Sequence, residues 1–140
     1  MRTAPVPNSV TTPATTGAAT AEMVIHRVEV RPRRGHHDPR GQSVQRAIES
    51  LGLARQPKRV EHAAVYLIEG DLSAQEMDRV ANELLADCVT QSAEVHASNR
   101  ASRPSVAPGS AVVEVHPLPG VTDPRAESVQ GAILGLTGRV

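Results

Sequence analysis

At 140 residues with 39% apolar side chains, the chain is long enough for one domain with a core. One Tyr and no Phe or Trp make that core aliphatic and leave almost no ring on which a base or sugar could stack, while fifteen basic and fifteen acidic side chains cancel, so no overall field steers the chain to a nucleic acid or an anionic membrane surface. The lone cysteine, Cys88, excludes an intrachain disulfide framework and fits a reducing compartment, and no run approaches the roughly 20 apolar residues of a membrane span.

Residues 1–22 are rich in Thr, Ala, Pro and Ser with Arg2 as the one basic side chain. They lack the apolar stretch of a secretory signal and read as a disordered leader. A strand is expected from about Val24 to Arg31, with Val24, His26, Val28 and Val30 on one face. Arg27, Glu29 and Arg31 fall with Ile25 on the other face, which is expected to be wet. Pro32 and Gly35 end the ladder, because proline has no N–H to donate and glycine accepts positive φ in a turn.

Asp38-Pro39 opens a helix: the carboxylate accepts from free first-turn N–H groups, and proline sits where an N–H has no partner. Val44, Ala47, Ile48 and Leu51 follow at the spacing of one buried stripe, and Gly52 stands where a left-handed C-terminal cap is wanted. Arg59–His62 and Ala64–Glu69 read as two short strands meeting at a tight connection, the alternation fitting either a hairpin or one long bent strand. Ser73 and Glu76 form a capping box for a second helix, whose buried stripe is Met77, Val80, Ala81, Leu84 and Leu85. Val89 to about His96 is the last strand of the unit. Strand, helix, strand, strand, helix, strand is a ferredoxin-like, split βαβ arrangement of the α+β class, an antiparallel sheet with two helices on one face. This unit spans residues 23–96. A Ser-, Asn-, Arg-, Pro- and Gly-containing linker occupies 97–110.

Residues 111–140 then begin again. Val28 to Leu51 recurs 85 positions later as Val113 to Leu136, with the same residue at 14 of 24 positions and no gap. The kept residues are structural: Val-Glu-Val, the turn glycine (Gly35, Gly120), Asp-Pro (Asp38-Pro39, Asp123-Pro124) and the helix stripe, Val129, Ala132, Ile133 and Leu136 in the second copy. Only the strand and helix of this partial second unit are present, so the chain reads as the front of something larger or as a truncated product. With no hairpin or second helix to cover it, the second stripe is expected to be loose.

No side-chain pattern provides an active site. His36-His37-Asp38 offers metal-ligand chemistry, but adjacent histidines in a turn do not converge on one ion and Asp38 is committed to capping. The second copy, moreover, has Val121 and Thr122 in their place. His26, His62, His96 and His116 are scattered over strand candidates. Cys88 has no base beside it and reads as a small buried hydrophobe. No glycine-rich phosphate loop occurs. Arg31, Arg33, Arg34 and Arg40 make a basic patch, read as a solvated edge. Catalytic, cofactor-binding and metal-ligating residues are therefore each expected to be none.

The order of short motifs resembles the PurS family, the small subunit of phosphoribosylformylglycinamidine synthase (FGAM synthase). The second copy carries it best, in Val115-His116-Pro117-Leu118-Pro119-Gly120-Val121-Thr122-Asp123-Pro124 and Glu127-Ser128-Val129-Gln130. Glu69-Gly70-Asp71 and Leu84-Leu85-Ala86-Asp87 add to it; Arg34, His36-His37 and Cys88 depart from the family pattern. The resemblance implies a noncatalytic, cytoplasmic assembly piece of de novo purine biosynthesis. Such a piece holds a PurL-type synthetase part against a PurQ-type glutaminase part, and its PurS-like units are able to self-associate. In long single-chain synthetases two PurS-like halves stand near the N-terminus, which the tandem copy here resembles. The full enzyme would convert formylglycinamide ribonucleotide, glutamine and ATP into formylglycinamidine ribonucleotide, glutamate, ADP and phosphate, with ATP and magnesium bound elsewhere and no cofactor bound by this chain. The alternative from another class is a ferredoxin-like regulatory domain that binds a small ligand.

Overall fold

The computed structural model describes residues 24–98, 106 and 108–138; the leader and most of the linker lie outside the described residues. The elements are β1 (Ile25–Pro32), α1 (Pro39–Ser50), β2 (Ala64–Glu69), α2 (Ala74–Arg79) running into a π-helical turn (Val80–Leu85), β3 (Gln91–Ser98) and α3 (Pro124–Thr137). β1 lies at the centre of an antiparallel sheet of order β2-β1-β3. Its register sets Val28 between Tyr66 and Val95, and Val30 between Ala64 and Ala93.

Local chemistry explains most of the boundaries. Asp38 caps α1 by accepting from the Gly41 N–H at 2.9 Å, and Asp123 does the same for α3 from the Arg125 N–H at 2.9 Å. Both helices carry proline in the first turn. The turn glycines Gly35 and Gly120 adopt φ of +85° and +83°, so the duplicated turn residue does the same backbone work twice. Ser73 and Glu76 form the reciprocal capping box expected of α2. After Arg79 the helix widens, and the Ala86 N–H reaches back to the Ala81 carbonyl.

The core lies on one face of the sheet. Val28, Val30 and Ile68 meet Leu72, Met77, Val80 and Ala81, with Leu84 and Leu85 packed at the margin as the sequence stripe predicts. Burying aliphatic side chains of this size stabilises by roughly 1.5–3 kcal/mol each. The remaining buried apolar side chain comes from the second copy: Ile133 of α3 enters this core, flanked by Val129 and Leu136. The second-copy helix is thus seated on the first unit, contrary to the expectation that its stripe would be loose. The π-helical turn that extends α2 packs against the sheet and α3 packs against that turn, whereas the stripe of α1, the other helix expected on this face, is not among the core. Val44 is 47% and Leu51 69% exposed, and the one buried residue of α1 is Gly41.

Arg59–His62 forms no ladder, so the sheet has three strands among the described residues, where the sequence suggests four. The reason is a competing partner. The His62 N–H donates to Asp38 Oδ2 at 2.8 Å, and Val60 passes so close over the first turn of α1 that a Cβ on Gly41 would come within 2.7 Å of its carbonyl oxygen. Backbone groups leading into β2 are therefore committed to the start of α1. In the second copy, the strand counterpart 112–117 is likewise unpaired in any sheet, while its helix counterpart is fully formed.

Candidate assembly surface

The face of the sheet opposite the core is charged, dry at the middle of β1 and open at its flanks, where Leu67 and Glu94 are exposed. Arg27 and Glu29 project from it and are 3% and 2% exposed. The Arg27 Nε donates to Glu29 Oε1 at 2.8 Å, and Arg31 donates to the other Glu29 oxygen. The remaining reach of the Arg27 guanidinium goes to Glu114 at 2.6 Å, which brings the second copy onto this face. Glu114 is the repeat counterpart of Glu29, so one arginine is shared by duplicate glutamates. Burial is affordable to neither charge alone, but each carboxylate oxygen of Glu29 has a donor and the arginine has two acceptors.

The electrostatics follow from that geometry. Burial pushes the Glu29 carboxyl up, but hydrogen bonds from Arg31 and Arg27, with their charges, hold it below the usual carboxylate range. Burial likewise opposes the charge on Arg27, and hydrogen bonds to Glu29 and Glu114 outweigh it, keeping the guanidinium protonated. Glu114 is held low chiefly by its hydrogen bond from Arg27. Asp38 is pushed up by burial and down more strongly by the Gly41 and His62 N–H groups.

Between β2 and the second-copy segment lies a cavity of about 1100 Å³, reached by Arg27, Tyr66, Glu114, Arg125 and Ile133. Its lining mixes equal charges with apolar side chains. The segment above it alternates. Glu114 faces the sheet, whereas Val113 and Val115 are 85% and 90% exposed. Leu118 and Val121 are also exposed.

The residues singled out by sequence are dispersed. Asp38 is the α1 cap, His37 Nε2 meets Gln42 Oε1 at 2.8 Å, and no three His, Cys, Asp or Glu side chains converge as metal ligands among the described residues. Cys88 is exposed, not a buried hydrophobe, because the turn after the π-helical segment carries it away from the core. That turn is held by Asp87, whose carboxylate accepts from the Thr90 and Val89 N–H groups and is kept low by them. Of the basic patch, Arg31 is paired with Glu29, and Arg33 donates to the Gln91 carbonyl at 2.7 Å, tying the β1 turn to β3. Arg34 and Arg40 remain exposed. His26, buried on the core face, has no hydrogen-bond partner for either ring nitrogen among the described residues. Sequence reasoning missed the Arg27–Glu29–Glu114 network. Its signal was the alternation of Arg, Glu and Arg on one strand face, together with the return of the glutamate in the repeat.

The family model PurS, described as phosphoribosylformylglycinamidine (FGAM) synthase, matches residues 25–99. No curated protein matches. Among solved structures, the chain is similar to PurS of Methanocaldococcus jannaschii, a subunit of formylglycinamide ribonucleotide amidotransferase, with 23% identity, a TM-score of 0.47, and coverage of 54% of this chain and 96% of that one. It is also similar to B. subtilis PurS, at 20% identity and TM-score 0.46, covering 54% and 99%. A chain of Thermotoga maritima PurLQS matches at 26% identity and TM-score 0.39, covering 54% and 98%. No helix among the described residues is long and apolar enough to cross a membrane. With its family match running from the first residue of β1 past the end of β3, this chain belongs to the PurS family of FGAM synthase.

Proposed function

We propose that this chain is a noncatalytic positioning module of an FGAM synthase, holding a PurL-type synthetase part against a PurQ-type glutaminase part, and that residues 111–138 begin a second unit of the same design. The single observation that carries this reading is the family match over the whole β1-to-β3 unit. Two features support it. The 28–51 pattern returns at 113–136. Glu114 meets the arginine that its counterpart Glu29 also meets. The contact joins the two segments within one chain and is one-sided, since Val112 stands where the repeat would place the arginine.

In this role the module acts by proximity. Fixing a glutaminase beside a synthetase lets ammonia pass between them at high local concentration without loss to water. ATP and magnesium belong to the synthetase part, this chain binds no cofactor, and the setting is the cytoplasm. The test is reconstitution. The chain is expected to co-elute with synthetase and glutaminase subunits and to raise the glutamine-dependent rate, while leaving the rate with free ammonia unchanged. Failure to co-elute, with no change in glutamine-dependent turnover, rejects the reading. Stabilisation by a free amino acid or nucleotide without any partner would favour a ligand-binding regulatory domain instead.

A further inference from the structure

β2 is an edge strand: one side pairs with β1, and the other pairs with no strand among the described residues. The cavity of about 1100 Å³ lies against that free side, and all six residues of β2 line it in unbroken succession. Side chains of a strand alternate between faces, so a wall on one face of the sheet would show every second residue. Consecutive lining means that the cavity takes in the backbone edge itself, with its outward N–H and C=O groups. Residues 110–117 form the facing wall, also in succession, and belong to no sheet. Natural edges are usually blocked by proline, lysine or an inward charge. β2, Ala-Val-Tyr-Leu-Ile-Glu, has one charge, at its last residue.

Size and lining say what fits. One more strand of six residues fills a slab about 20 Å long, 4.8 Å wide and 10 Å deep, or about 1000 Å³, close to the volume of the cavity. Its two faces would meet apolar side chains, Tyr66, Val129 and Ile133 toward α3 and Val65 and Leu67 on the side that carries Arg27. Charge is uneven along the slot. The first turn of α1 is tied to the start of β2, where Asp38 accepts from the His62 N–H. There Arg40 and its repeat counterpart Arg125 line, with Tyr66, an adjoining hollow of about 380 Å³ that no acidic side chain lines. Neither arginine makes an ion pair among the described residues.

We propose that the cavity takes one extended segment of a partner protein, which adds to β2 as a fourth strand, apolar along its length and ending in a carboxylate that reaches Arg40 and Arg125. Main-chain hydrogen bonds to the free edge supply affinity, and the charge-assisted bonds at one end fix register and direction. The inference rests on the positioning role proposed above, since it names where that role engages a partner.

The test is amide exchange, read by mass spectrometry on the full chain alone and with synthetase and glutaminase subunits added. Their addition is expected to slow exchange in residues 64–69 at least about tenfold and to leave β3 at its own rate. Arg40→Glu combined with Arg125→Glu changes two exposed side chains outside the core. It is expected to raise the Kd of the complex about tenfold or more while the chain alone keeps its melting temperature. Arg40→Gln with Arg125→Gln, expected to act in the same direction, serves if the reversal unfolds the chain. A complex in which residues 64–69 exchange as before overturns the inference and leaves the positioning role standing, whereas no complex at all rejects that role and the inference with it. Full affinity with both arginines replaced overturns the carboxylate end. Protection of residues 64–69 that rises with the concentration of the chain alone makes the occupant a second copy and overturns the assignment to a partner.

Discussion

Val28 and Val113 are the same residue in the same repeated pattern, and they sit in opposite environments. Val28 and Val30 are 0% and 3% exposed, beneath Met77 and Val80, whereas Val113 and Val115 point to solvent. The helices show the reverse assignment, with the first-copy stripe open and the second-copy stripe covered. Burial in this chain is therefore decided by which copy can supply a covering element, not by the local pattern, which is shared. The second copy contributes its helix to one face of the first unit and a glutamate to the other face, and its strand valines are left without a core of their own.

Substituting both valines alike breaks the comparison most sharply. Val28→Asp is expected to cost about 4 kcal/mol or more, since it buries a carboxylate with no partner, while Val113→Asp should stay within about 0.5 kcal/mol. Equal denaturant midpoints for the two variants would abolish the distinction. Next comes the shared arginine. Arg27→Met should lose about 3 kcal/mol, because it strips the buried Glu29 of one of its two donors. The same change should speed amide exchange at 111–117, where Glu114 loses its anchor. Glu114→Gln should speed exchange in that segment with the sheet intact, and an unchanged segment would show that the contact does not hold it.

Acid sharpens the same contrast. Glu29, Asp38 and Glu114 are all held below their ordinary values, so the folded chain binds fewer protons than the unfolded chain in the acid range. Their contribution is fully present above the ordinary carboxylate pKa and is lost as pH falls through the depressed values, so a stability decline should set in below about pH 4. A melting temperature that is flat from pH 6 to pH 3 would contradict this. The smallest expected effect is a gain. His26→Leu removes two unpartnered buried nitrogens and should stabilise by about 1 kcal/mol, read as a higher denaturant midpoint at unchanged slope.

Legibility in the sequence followed the range of the determining contacts. The caps at Asp38, Ser73 and Asp123, the turn glycines and the Met77–Leu85 stripe depend on neighbours within a few residues, and each reads directly from spacing. The fate of the α1 stripe does not, because Val44 and Val129 carry the same local information and only Val129 lies beside the core. The burial of the Arg27–Glu29 pair was equally hidden, since the residue that closes over Arg27 lies 87 positions away. Arg59–His62 looks like a strand by alternation, but its backbone is captured by the Asp38 carboxylate, a tertiary contact that alternation cannot express. Cys88 has the apolar character of a core residue, and only the Asp87 turn explains its outward position.

The π-helical turn at Val80–Leu85 has a bearing on how the segment can change in length. Its wider coil accommodates one residue more than an α-helix would over the same rise, and the excess falls where Asn82 and Glu83 are exposed while Val80 and Ala81 stay inward. Removing one of those two outward residues would let the backbone close to ordinary α geometry with the inner contacts kept. The turn is thus a tolerance built into the helix, a place where the gene can lose a codon without misaligning β3.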